Sequence, residues 1–300
     1  MKKNPVLIVL ATAVALGAIF FGIVFLTSLL SGNKRTSRPL QVVGGADKIA
    51  LVRLEGLLIT SDHVVEELNE YAEDSSIKAI VLRIDSPGGG VVVSQEIFNA
   101  VKNARKDGKK IIASMGTVAA SGGYYVAAAA DRIVANPGTL TGSIGVKMEF
   151  ANIEKLLEKI GVRGVVVKAG EFKDVGSPFR DMSEPEKKIL QDVIDDVHSQ
   201  FIKAVAEGRN MPEADVRAIA DGRIFTGRQA LDLKLVDQLG DLADSIKVAG
   251  ELVGIKGKPR VIEKRKTIPF FDYLREESAA WIADVITRGV SRSSVTLQYR

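Results

Sequence analysis

The residues able to do chemistry fall into three groups. Ser121 stands among small residues in AASGGYY. Asp85 to Gly90 reads DSPGGG, a turn whose backbone N–H groups are unshielded by side chains. Three lysines, Lys147, Lys168 and Lys173, lie near the ends of predicted strands. The chain has no cysteine and two histidines, His63 and His198, in no HxH or HxxxH pattern. That removes thiol nucleophiles, disulfides and thiolate metal sites together, and it argues against a histidine zinc site. A hydrolase of this composition therefore needs a serine activated by something other than cysteine or histidine chemistry, and lysine is the physical candidate. Lysine is a base only when neutral near pH 7, so its reference pKa of ~10.4 must fall by roughly 3 units, about 4 kcal/mol. Burial in an apolar pocket does this. A carboxylate partner acts in the opposite direction.

Each group also has a plain structural reading. Ser121 at the start of a predicted helix could be an N-cap packed between small residues, and its local sequence alone favours that reading. Equally, free N–H groups and the dipole at a helix start suit a nucleophile. SPGGG could donate N–H groups to an oxyanion or be a simple strand-to-helix turn. It lacks the GK[ST] ending of a phosphate loop. Each lysine taken alone reads as solvated, and Asp85 before Ser-Pro reads as a turn former. His63, in the first turn of a helix, and His198, mid-helix among acidic neighbours, read as structural or exposed.

The elements that must position these residues follow from hydrophobic period. Ile49–Leu54, Ile77–Ile84, Lys110–Met115, DRIVANP and Gly164–Lys168 read as strands. Ser61–Glu73, Ser94–Lys106, a stretch from about Ser121, and Ala151–Ile160 read as helices, with GTLTGSIG as a loop. A long helix follows Ser183, with Ser183 and Glu186 spaced as a capping box and Pro185 in the first turn. DGRIFTGRQALDLKLVDQLG then gives strand, helix and turn. Repeated strand–turn–helix units imply an α/β domain with mainly parallel pairing. Ligand sites in such sheets gather at strand carboxyl ends, where Asp85–Gly90, Gly116–Ser121 and Gly138–Gly145 all fall.

Val6 to Leu30 carries no charge and is nearly unbroken apolar sequence. As a helix it would reach roughly 38 Å, more than the ~30 Å hydrocarbon core of a bilayer. The exit sequence TSLLS is a poor cleavage site, so the segment reads as an uncleaved anchor. Lys2 and Lys3 on one side nearly balance Lys34, Arg35 and Arg38 on the other, so charge does not decide orientation. The expected organisation is a short flank (1–5), an anchor (6–30), a linker (31–47), a main domain (48–255) and a basic tail (256–300) with an amphipathic helix over Phe270–Thr287. A net charge of +4 with scattered basic residues gives no nucleic-acid surface.

Four motifs in order are more specific than any part. RIDSPGG (83–89), ASMGTVAASGGYYVAAAADRIVANPGTLTGSIGV (113–146), GEFKDVGSPFRDMSEPE (170–186) and DGRIFTGRQA (221–230) resemble the signal peptide peptidase A family of bacterial membrane-anchored serine peptidases. The resemblance covers about Lys48 to Val253. It implies a crotonase/ClpP-like fold of repeated β-β-α units, here preceded by one transmembrane helix. It also implies Ser121 as nucleophile, Lys173 as general base, Gly88 as an oxyanion-hole donor, and Ser143 as the serine that aims the lysine amine. Gly122 is a second oxyanion donor by its position. No metal or nucleotide cofactor is required. Short forms resemble homo-oligomers in which one protomer's serine meets the next protomer's lysine. The implied substrates are remnants of cleaved signal peptides and other apolar segments, handled outside the bacterial cytoplasmic membrane. One departure is LDLKLVD, where Lys234 replaces a helix-ending glycine. Two competing readings are an acyl-CoA hydratase or isomerase of the same fold, and a membrane scaffold with a silent site.

Overall fold

The computed structural model describes residues 47–264. The expected anchor, almost all of the linker, and the helix over 270–287 lie outside the described residues. Among those described, no helix is long and apolar enough to cross a membrane. The chain divides into units 1–45 and 46–300, and the described residues belong to the second.

Three long strands form the centre: β1 (Lys48–Glu55), β2 (Ile77–Ser86) and β3 (Lys110–Ala120). They pair in parallel in the order β3-β2-β1. The period of two along a strand sends alternate residues to opposite faces. Ala50, Val52, Leu54, Ile80, Leu82, Ile84, Ile111, Ala113 and Met115 enter one apolar cluster. Ile49, Leu51, Ala79, Val81 and Ile112 enter the other. Both faces are therefore covered, as a parallel sheet requires.

The first face packs against α1 (Asp62–Glu73), α2 (Val91–Lys106), α3 (Gly122–Ala127) and α5 (Glu184–Arg209), while α8 (Leu242–Leu252) covers the second. Between α3 and α5 lie β4 (Arg132–Ala135), β5 (Leu140–Gly142) and α4 (Glu154–Lys159). After α5 come α6 (Glu213–Ile219), β6 (Ile224–Thr226), α7 (Gly227–Asp232) and β7 (Gln238–Leu239), with β8 (Arg260–Glu263) following α8. The α/β class holds. Strands and helices alternate singly except at β4–β5 and at the three successive helices α4, α5 and α6, so the two-strand repeat implied by the resemblance occurs once among the described elements.

Several boundaries differ from the sequence reading. β3 runs five residues past Met115, and its edge away from β2 serves two neighbours, β4 along its first half and β5 along its second. The expected GTLTGSIG loop thus contains a strand, whose other edge pairs antiparallel with β6. Gly164–Lys168 forms no strand, and Val167 is 97 % exposed. The helix expected over Ala151–Ile160 is confined to α4, which buries no residue. β8 joins the sheet edge beside β1, so the folded sheet extends past residue 255 into the segment expected to be tail. The Ser183/Glu186 capping box is present. Lys234 adopts the left-handed conformation at φ 60° just beyond α7, so it takes up the conformation that glycine would hold there at less steric cost.

Candidate active site

The turn that carries Ser121 is set by its supporting strand. Pairing of β2 with β3 slips between Ile84 and Ser86, so that Ile84 faces Met115 but Ser86 faces Ala119. The extra residues on β3 form a bulge, a device that bends a strand and re-aims the residues beyond it. Asp85 holds the bulge: its Oδ1 accepts the N–H of Val118 at 3.0 Å. Thr139 Oγ1 donates to the Gly116 carbonyl at 2.7 Å. Asp85, expected as a turn former, is thus the last residue but one of β2 and a clamp on β3.

Ser121 comes next, at φ 53°, ψ −122°. An N-cap residue has extended backbone and accepts a hydrogen bond from the first helical turn. Ser121 has neither feature, because its φ is positive and its side chain makes no capping bond. A non-glycine residue in this region is strained, and such strain concentrates at functional turns. The surroundings hold it there: Ser121 N–H donates to the Gly142 carbonyl at 2.9 Å, and the Ser121 carbonyl accepts from Tyr125 N–H at 2.8 Å. The hydroxyl has no hydrogen-bond partner among the described residues. Beneath it, α3 is buried, and Tyr124 anchors it by donating its hydroxyl to the Leu235 carbonyl at 2.9 Å. The alanines after it let α5 come close, since a Cβ on Gly208 would lie 2.0 Å from the Ala128 carbonyl oxygen.

The SPGGG turn meets this serine directly. Gly88 has φ +100°, and a Cβ there would lie 2.6 Å from Gly122 N and 2.9 Å from Ser121 Cβ. Only glycine fits. However, the Gly88 N–H donates to Ser86 Oγ at 3.1 Å. The next N–H, that of Gly89, has no partner among the described residues. A Cβ built on Gly122 would come within 3.3 Å of Gly89 N, so these two glycines meet edge to edge. The Gly122 N–H is one of the unpaired donors at the start of α3. The N–H groups beside Ser121 without a partner among the described residues are therefore those of Gly89 and Gly122, while that of Gly88, the expected donor, is bonded to Ser86. Sequence reasoning could not choose between adjacent glycines, because the choice rests on where Ser86 Oγ points.

Ser121, Gly88, Gly89, Gly122, Ser143 and Lys147 line one cleft of about 700 Å³. Ser143 also has a positive φ, 51°, and its N–H donates to the Arg223 carbonyl at 2.9 Å. Helix α5 lines the same cleft through Gln191, Ile194, Asp195, His198 and Phe201. Tyr125 and Phe201 also line it, and Tyr125 lies between Phe98 and Phe201 at ring-centroid distances of 5.0 and 4.9 Å. Burial pushes the Tyr125 phenol pKa up, keeping it neutral.

The three candidate lysines separate clearly. Lys147 lines the cleft, but its ammonium is paired with Glu149 at 3.0 Å and its side chain is 85 % exposed. Lys168 is paired with Asp174. Lys173 has no acidic partner among the described residues, is exposed, and is not among the residues lining the Ser121 cleft. It sits on an arm, residues 146–182, that leaves the sheet after Gly145. The arm has its own contacts, with Phe150 against Gly176 and Phe179 against Gly164. It is tied to the start of α5 through Arg180, which bridges Asp174 and Glu186. The Arg180 guanidinium, with help from the Ser183 N–H, holds the Glu186 carboxyl down to about 2, and Arg180 followed by Lys168 holds Asp174 lower still. The structure thus brings Ser121, Gly88, Gly122 and Ser143 together and leaves Lys173 apart.

Comparison with known proteins agrees with this architecture. Residues 103–256 match the model of peptidase family S49, and residues 58–139 match that of Clp protease. A putative protease of Synechocystis is 44% identical over 209 residues, covering 69% of this chain and 75% of that protein. A putative signal peptide peptidase SppA of Enterococcus faecium is 41% identical over 184 residues, covering 60% of this chain and 54% of that one. Protease 4 of Haemophilus influenzae is 35% identical over 216 residues, 69% of this chain but 35% of its own. The chain therefore spans three quarters of the first of these relatives, about half of the second and about a third of the last. Among solved structures, a mutant of the 1510-N membrane-bound stomatin-specific protease shares the fold, with TM-score 0.51 and 16% identity over 74% of this chain and 99% of its own. On the extent of these matches, this chain is a protease that belongs to peptidase family S49, together with relatives named SppA and protease 4.

Proposed function

We propose that this protein is a membrane-anchored serine endopeptidase working through Ser121 and Lys173, with the lysine supplied by a neighbouring protomer. The observation that carries the reading is the strained turn at Ser121, which exposes an unbonded hydroxyl to a cleft beside two unpaired N–H groups. Lys173 is the candidate lysine with no carboxylate partner, and a carboxylate partner would stabilise the charged form. Its absence from its own protomer's cleft, and the apolar residues exposed on its arm, favour delivery to a second copy. Val165, Val167 and Phe172 lie close to it on the same arm.

In this mechanism Ser121 Oγ attacks the scissile carbonyl carbon while neutral Lys173 Nζ takes the hydroxyl proton. The N–H groups of Gly89 and Gly122 stabilise the oxyanion. Ser143 Oγ, free in the same cleft, holds the incoming amine. Lys173 then gives its proton to the leaving nitrogen as the C–N bond breaks, leaving an acyl-Ser121. Water attacks that ester as Lys173 accepts the water's proton, and the carboxyl product departs as Ser121 Oγ is reprotonated. No step uses a metal or nucleotide. Residues 6–30 hold the enzyme in the bacterial cytoplasmic membrane with the catalytic domain outside the cytoplasm. The Tyr125 and Phe201 rings that line the cleft take the apolar side chains of signal-peptide remnants.

The test is cleavage of casein and a synthetic signal peptide by wild type, Ser121→Ala, Lys173→Ala and a co-assembled mixture of the two variants. Each variant alone should be inactive and the mixture active. Full activity in Lys173→Ala would remove the proposed base, and an inactive mixture would place serine and lysine in one chain.

A further inference from the structure

Two buried side-chain polar atoms among the described residues lack a hydrogen-bond partner, Arg105 Nε and His198 Nε2. The first is explained within the fold. Arg105 Nε lies 3.3 Å from an Asp131 carboxylate oxygen as an ion pair, and Arg105 also donates to the Ala129 carbonyl at 2.6 Å. His198 has no such account. Its nitrogen is withdrawn from water without a bond to replace the lost hydration, an arrangement that destabilises a folded protein. A phenylalanine of similar shape would avoid that cost. The polar atom therefore does nothing for the fold that the structure records.

Its place suggests what it does instead. His198 lies on α5 and lines the same cleft as Ser121, one turn from Ile194 and three residues before Phe201. The cleft lining carries the apolar groups Val91, Tyr125, Val146, Ile194 and Phe201, with Gln191 and Asp195 as the polar residues of the same helix; neither bonds Nε2. Side chains of an apolar peptide are accommodated by such a lining, but they offer no partner to an imidazole. The polar groups that every peptide carries are its main-chain N–H and C=O. We infer that His198 binds the main chain of the substrate, its ring turning so that Nε2 forms a hydrogen bond with a peptide group running along α5. The inference rests on the peptidase reading above and names a substrate-binding residue outside the Ser–Lys pair. It also gives α5 a role beyond packing, since one helix face supplies both apolar and hydrogen-bonding parts of the lining.

The test is a cycle between residue and substrate with the full-length protein. A fluorogenic apolar peptide is compared with a series in which one amide at a time, away from the scissile bond, becomes an ester. An ester removes the N–H and weakens the carbonyl as an acceptor. In wild type one position should lower kcat/KM roughly fivefold, the size of one neutral hydrogen bond. In His198→Phe the parent peptide should show the same loss through KM, with kcat retained, and the ester at that position should cause no further loss. The melting temperature of His198→Phe should equal or exceed that of wild type. Additive losses at every position, or a lowered melting temperature, would overturn the inference and leave His198 a structural residue. Ser121→Ala runs alongside: cleavage by that variant would refute the peptidase reading itself, and His198 as a substrate contact with it.

Discussion

The turn that carries Ser121 and the arm that carries Lys173 are opposites in construction. The turn lies on the buried end of β3, pinned by the Asp85 clamp, by the bond from Ser121 to Gly142, and by a fully buried Tyr124. The arm leaves the sheet, exposes Val165, Val167 and Phe172, and is tied down by the ion pairs of Arg180. A nucleophile beside an oxyanion hole must be held to within a fraction of an ångström, which a packed core supplies. The lysine base proposed here sits instead on an exposed segment, and burial at the site is what would favour its neutral form. In the proposed mechanism, docking of this arm into a neighbouring copy would couple that change to assembly.

The sharpest way to break this contrast is at its two ends. Ser121→Ala and Lys173→Ala should each reduce kcat by at least about a thousandfold, while melting temperatures stay near wild type because neither side chain supports the fold. A large stability loss in Lys173→Ala would show that the arm is part of the core. Next in size is Gly88→Ala. Its Cβ would press on Gly122 N and Ser121 Cβ at a φ of +100°, so kcat should fall by roughly a hundredfold through a displaced oxyanion hole, read in kinetics on the assembled enzyme. Val167→Asp probes the arm from the other direction. The residue is 97 % exposed in the protomer, so protomer stability should change by less than about 0.5 kcal/mol. Sedimentation should nonetheless show weaker assembly, and activity should fall with it; unchanged assembly would free the arm from any docking role.

A smaller effect tests the anchor of the arm. The Glu186 carboxyl is held near 2 from an ordinary value of 4.5, mainly by Arg180. A depressed folded-state value stabilises above about pH 4.5 and is lost as pH falls toward 2. Hydrogen exchange over residues 168–182 should therefore be slower in wild type than in Arg180→Gln at neutral pH, with the two converging on acidification. A difference that grew toward low pH would contradict the assignment. Smallest of all, Lys234→Gly should raise stability by about 0.5–1 kcal/mol by relieving the left-handed backbone at φ 60°, measured by thermal melting.

The sequence disclosed the core well and the arm poorly, and one physical reason covers both. In IKAIVLRI the apolar run is buried on both faces within the chain, so pattern and burial agree. In GVVVK the same kind of run is exposed, and a reading that assumes burial within one chain makes it a strand. β8 was hidden for a related reason: a short segment, RVIE, set within basic sequence, pairs only at the sheet edge beside β1, where half-burial suffices. The bulge at Gly116–Val118 left no signal either, because it depends on the Asp85 carboxylate across a strand pair 33 residues apart in sequence.

Ser121 marks the same division within the site. By itself the sequence determined the chemistry available: no thiols, two scattered histidines, a serine among small residues, and lysine as the candidate base. Composition is enough to exclude whole mechanisms, and the order of four motifs is enough to point to a family. It could not determine that Ser121 is a strained turn residue instead of a cap, that Gly89 and not Gly88 keeps a free N–H, or that Lys173 stands away from its own cleft. Each of those depends on where a few atoms from distant segments meet: Gly142 at Ser121 N, Ser86 Oγ at Gly88 N, and the path of an arm beyond Gly145. Side-chain identity sets what a residue can do, and tertiary contacts set which of its partners it reaches.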